Sequence, residues 1–97
     1  MKTVGIERLL GSSIWNQESN ATRIAWVTML TLADSKTGIV DINSYRLAKL
    51  AGITSAELAI AIVRLTRPDE FNEIEAGAPR IATEGPNFRI LNINKYV

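Results

Sequence analysis

Apolar positions fall along this chain in short blocks, each with its own spacing and each closed by a glycine, a proline or a polar cluster. Ile6, Leu9, Leu10 and Ile14 are separated by 3, 1 and 4 positions, the repeat of one helix face. They predict a short helical extension over 1–18, with Gly11 as an interruption and Trp15 as a large apolar anchor. From Ala21 to Ala33 the chain is apolar on nearly every side, through Ile24, Ala25, Trp26, Val27, Met29, Leu30 and Leu32. Thirteen residues fall short of the roughly 20 that cross a bilayer, so the run predicts a helix buried mid-domain. Asn20 is its expected cap, and Asp34-Ser35-Lys36-Thr37-Gly38 ends it. Met29 and Trp26 within it read as packing rather than as a ligand pocket.

The β-branched run from Gly38 to Ile42 predicts a short strand. A helix over Ser44–Ala51 follows, capped by Asn43 or Asp41, with Leu47, Leu50 and Ala51 facing inward and Gly52 supplying a left-handed end. Thr54-Ser55-Ala56-Glu57 is a capping box, opening a helix over Ser55–Thr66 that Pro68 stops. On that helix Leu58, Ala61, Ile62 and Leu65 share the inner face. Asp69 to Gly77 is acidic and irregular, a solvated loop rather than a metal site, because no element orders its carboxylates. Arg80–Glu84 and Phe88–Ile93 flank Gly85-Pro86-Asn87 as a hairpin. Ala48 and Gly52, four apart, provide the small contact and the bend that two tightly joined helices require. The expected fold is mainly α with a small β-sheet (α+β), one winged helix-turn-helix domain over 1–97. Its helix pair spans 44–66 and its wing hairpin 80–93.

Ser13-Ile14-Trp15, Arg23 to Asp34, Gly38-Ile39-Val40, Leu47-Ala48 with Ala51-Gly52-Ile53-Thr54, and the ending Ile90-Leu91-Asn92-Ile93-Asn94-Lys95-Tyr96 carry a resemblance across most of the chain. In these segments it resembles the winged-helix module near the N-terminus of phage and prophage replication-initiation proteins, and related phage helix-turn-helix proteins. The resemblance implies nucleic-acid binding, in replication initiation or transcription regulation, without assigning a site.

Composition narrows the chemistry. The sequence has no cysteine and no histidine, which excludes disulfides, thiolate nucleophiles, imidazole bases and the usual zinc ligands. Ser12-Ser13 has no imidazole base to activate it. An enzyme is therefore not expected, nor a cofactor or metal. The N-terminal residues start no secretory signal and no run spans a membrane, so a cytoplasmic protein without membrane contact is expected.

The formal net charge is only +1, so electrostatic recognition depends on where the charges lie. Residues 42–67 carry Arg46, Lys49, Arg64 and Arg67 against Glu57, and residues 80–97 carry Arg80, Arg89 and Lys95 against Glu84. The intervening segment 68–79 holds Asp69, Glu70, Glu73 and Glu75 with no basic residue. The helix pair and the wing are thus the positive parts, as phosphate contacts require. The candidate DNA-binding residues are Ser44, Arg46, Lys49, Thr54, Ser55, Arg64, Arg67, Arg80, Asn87, Arg89 and Lys95, with double-stranded DNA as partner. The outer face of helix 55–66 offers instead Ala56, Ala59, Ile60 and Val63, mainly methyl groups. Those four are the candidate protein interface, for a homodimer or for a host or phage replication protein bound without DNA.

Overall fold

The computed structural model describes residues 12–72 and 74–96. Within them each α-helix begins on a side-chain oxygen that satisfies an amide of its first turn. Ser12 accepts from Trp15 N before α1 (Ser13–Gln17), and Ser19 from Thr22 N before α2 (Asn20–Leu32), both at 3.3 Å. Asn43 accepts from Arg46 N at 2.9 Å before α3 (Ser44–Ala51). Thr54 accepts from Glu57 N at 3.0 Å before α4 (Ser55–Thr66), and Thr54 N donates back to Glu57 Oε1 at 2.9 Å, completing the capping box. The cap expected at Asn20 is Ser19, so Asn20 is the first helical residue. Ile6, Leu9 and Leu10 of the N-terminal extension lie outside the described residues.

Gly52 makes the corner between α3 and α4. Its φ of 73° is left-handed, and its amide reaches the carbonyls of Ala48 and Lys49. Ile53 N then donates to Ala48 O at 3.1 Å, closing the last turn of α3. Only residues 52–54 separate the two helices, and α4 packs on α2.

The sheet is antiparallel with order β1-β3-β2, built from β1 (Ile39–Val40), β2 (Ile81–Glu84) and β3 (Asn87–Ile90). Val40 pairs with Phe88 and Ile81 with Ile90. Gly38 lets the chain enter β1: its carbonyl accepts from Ile90 N at 2.8 Å, and a Cβ there would stand 2.3 Å from Ile90 O. All three strands are shorter than the sequence suggests. Asn87 pairs with Glu84 in the ladder rather than forming the tip, leaving Gly85-Pro86 as a two-residue turn. A 3₁₀ turn at Ile93–Lys95 follows.

Trp26, Met29, Leu30, Leu47, Leu58, Leu65, Val40, Ile81, Phe88 and Ile90 are buried in one cluster between helices and sheet. Tyr96 closes it edge-on against Trp26, with ring centroids 5.2 Å apart. Two expectations fail here. Helix α2 is not buried all round, because Ile24 and Leu32 lie on an outer face. Leu50 is 59% exposed rather than inward. At 100° per residue Ala48 turns to one side of Leu47 and Leu50 to the other, and the core lies on the Ala48 side.

The described residues of the acidic segment are irregular, as expected, but they are tied together by hydrogen bonds. Asn72 is buried: its Nδ2 donates to Ala78 O at 3.0 Å, and its Oδ1 accepts from Ile74 N at 2.9 Å and Glu75 N at 3.2 Å. Asp69 O accepts from Gly77 N at 2.9 Å, drawing the loop ends together.

Candidate nucleic-acid interface

The capped starts of α3 and α4 fall on the same side of the molecule. Ser44 and Ser55, the first residues of the two helices, line one hollow of about 160 Å³ with Leu58, Ala59 and Ile62. First-turn amides give each helix start a partial positive charge. Arg46 and Lys49 stand exposed on α3, where Lys49 Nζ lies 5.1 Å above the Tyr45 ring. Thr54 and Ser55 are exposed at the corner, and Arg67 is exposed where α4 ends. Among the described residues, Arg46, Lys49 and Arg67 form no ion pair.

The other candidate arginines are held by the protein itself. Arg64 forms a two-pronged ion pair with Glu18, Nε to Oε1 at 2.7 Å and Nη2 to Oε2 at 2.9 Å. The Glu18 carboxylate beside it raises the pKa of this guanidinium further. Arg89 donates from Nε to Glu84 Oε1 at 2.7 Å and from Nη1 to Thr37 O at 3.2 Å. Both remain on the surface with their charge matched. Asn87 is half-buried in β3, and Lys95 is exposed in the 3₁₀ turn.

Arg80 is a correction. It is 1% exposed, and no phosphate can reach it from the surface. Its Nη2 donates to Ser13 Oγ at 2.7 Å and pairs with Asp69 Oδ2 at 3.4 Å, while Nη1 donates to Tyr96 Oη at 3.0 Å. The guanidinium carbon sits 6.0 Å from the centre of the Trp26 ring. The Ser13 hydroxyl donates to the same Asp69 oxygen. Burial alone pushes the Asp69 carboxyl up, but the Ser13 hydroxyl, the Phe71 amide and Arg80 outweigh it and hold its pKa below the ordinary value. Arg80 is therefore a structural cation joining α1, the acidic loop and the 3₁₀ turn.

The outer face of α4 matches its sequence reading. Ala56, Ala59, Ile60 and Val63 are all exposed, with Ile60 at 62% and Val63 at 61%. Leu58, Ala61 and Leu65 are buried on the opposite face, and Ile62 is half-buried. A second concavity of about 430 Å³ opens beyond the end of α4, where Arg64, Arg67, Asp69, Glu70 and Phe71 meet Glu18. Its walls carry the Arg64–Glu18 and Arg80–Asp69 pairs, so most of its charges face one another.

Glu18, Glu84, Ser13 and Asp69 decide which cations are offered to solvent, and sequence reasoning missed all four. Glu18 and Arg64 are 46 positions apart, Ser13 and Arg80 67, with no local spacing to announce either contact. Among the described residues no group of three or more acidic side chains is placed to hold a metal ion. No helix among them is long and apolar enough to cross a membrane. No family model matches the chain, and neither a curated protein nor a solved structure matches it.

Proposed function

We propose that the chain is a winged-helix module that binds duplex DNA, with α4 entering the major groove and α3 and the hairpin beside it on the backbone. The observation that carries this reading is the left-handed turn at Gly52 between two capped helices. The 12-residue helix that follows it has one side in the core and the other uncovered. The connectivity supports the same reading: α2, β1, α3, α4 and then a hairpin whose second strand pairs with β1. Arg46, Lys49 and Arg67 meet phosphates, and the amides at the start of α4 add a further contact beside Ser55 and Thr54. The resemblance to phage replication-initiation modules supports a role in replication initiation or transcription control, in a protein of phage or prophage origin.

With Arg46, Lys49 and Arg67 as the phosphate contacts this is a weak binder on its own, with a non-specific Kd on the order of 10⁻⁵ M at physiological salt. Fluorescence anisotropy with a labelled 16-base-pair duplex tests it. Saturable binding at low salt, weakened in an Arg46→Ala/Lys49→Ala double variant, is the expected result. A flat titration up to high micromolar protein defeats the proposal.

A second reading rests on the exposure of Ile60 and Val63: the same face docks on protein, as a homodimer or on a replication protein. Sedimentation equilibrium separates the two. A dimer that Ile60→Glu dissociates without unfolding favours this reading over the first.

A further inference from the structure

We infer that the outer face of α4 reads the methyl groups of the major groove, so that the preferred duplex is rich in thymine or in 5-methylcytosine. This rests on the DNA-binding reading above and names what that interface recognises. Between Ser55 at its start and Arg67 after its end, the uncovered face presents Ala56, Ala59, Ile60 and Val63. Arg64 on its flank is committed to Glu18, and Glu57 is committed to the amide of Thr54. No side chain in the middle of this face is equipped for the paired hydrogen bonds by which Arg reads guanine or Asn and Gln read adenine. The C5-methyl of thymine is the one group on a major-groove edge that an aliphatic surface recognises.

Size and charge select DNA over a second copy of the chain. A helix of 12 residues is about 18 Å long, and one face of it is some 10 Å wide. That footprint is well below the roughly 800 Å² per partner of a stable protein interface, yet it suits a groove about 12 Å wide. Exposed Arg46 and Lys49 on α3 and Arg67 after α4 outnumber Glu57, and this positive balance complements a polyanion and repels an identical surface.

The test compares duplexes differing only in methyl groups, titrated with the full chain at low salt. The first pair is an A·T duplex and its copy with deoxyuridine in place of every thymidine. The second is a G·C duplex with and without 5-methylcytosine. Each methyl buried against the helix is worth about fourfold in affinity, so the methylated member of each pair binds at least that much more tightly. Ile60→Ser narrows that ratio, which separates contact with the methyl from any change in duplex shape. Equal affinity within both pairs, or a ratio that Ile60→Ser leaves intact, overturns the inference and leaves DNA binding standing. No binding to any of the four duplexes overturns the proposed function and this inference with it. A dimer split by Ile60→Glu assigns the face to a second copy and overturns the inference as well.

Discussion

Arg80 and Ser13 lie 67 residues apart in sequence and 2.7 Å apart in space, Nη2 to Oγ. Around that contact Asp69 and Tyr96 complete a polar cluster under the Trp26 ring. A cation this deeply buried needs its partners, and they in turn lose theirs if it is removed. Arg80→Ala is expected to lower unfolding stability by about 3 kcal/mol, measured by urea denaturation, the lower end of the range for breaking a buried pair because Asp69 is partly exposed. At a temperature where both proteins remain folded, the variant keeps the DNA affinity of the parent. Loss of affinity in a fully folded Arg80→Ala protein would contradict its structural assignment.

Asp69 makes the same cluster sensitive to acid. Its carboxyl is held below the usual carboxylate range in the folded protein, so the folded state favours the ionised form. The contribution is therefore present above about pH 4 and is lost as pH falls through the depressed folded value. Thermal melts of the parent should drop between pH 5 and pH 2 more steeply than those of Asp69→Asn, which starts lower and varies less. Parallel curves for the two proteins would show that another carboxylate governs the acid transition.

The contrast between the surface and this cluster explains what the sequence could reveal. The capping box at Thr54 and Glu57, the corner at Gly52 and the inner face of α4 are local, set by residues within four positions of one another, and all are found as read. Leu50 faces outward, against expectation, because apolar character does not say which flank of a two-turn helix meets the core; that depends on where α2 and α4 lie. Arg80 departs from its expected place for a related reason, and the ion pairs of Arg64 and Arg89 are equally silent in the sequence. A sequence shows that a residue is charged, but whether it is available depends on Ser13, Glu18, Glu84 or the Thr37 carbonyl, brought near only by the fold.

Gly38 and Gly52 share a left-handed φ but differ in their surroundings. At Gly52 an added Cβ meets nothing within 4 Å, so Gly52→Ala carries only the backbone cost of about 1–2 kcal/mol. At Gly38 it meets Ile90 O at 2.3 Å, a backbone atom fixed in the sheet. Gly38→Ala is expected to cost on the order of 3 kcal/mol or more, since strain and displacement of β3 add. Denaturant midpoints for the two variants should fall in that order, and the reverse order would place the sheet elsewhere.

The salt dependence of DNA binding distinguishes available cations from committed ones. Each phosphate contact contributes about −0.9 to the slope of log K against log salt concentration. Counting all the basic candidates would give a steep dependence, but the structure leaves Arg46, Lys49 and Arg67 without an ion pair, which sets the slope near −3. Arg46→Ala, Lys49→Ala and Arg67→Ala should each flatten it by about 0.9. Arg64→Ala and Arg89→Ala act differently. Each removes a cation already matched by Glu18 or Glu84 and frees a carboxylate, so affinity falls slightly while the slope stays close to that of the parent. A parent slope steeper than about −5, or a full unit lost in Arg64→Ala, would mean that DNA draws these arginines out of their ion pairs.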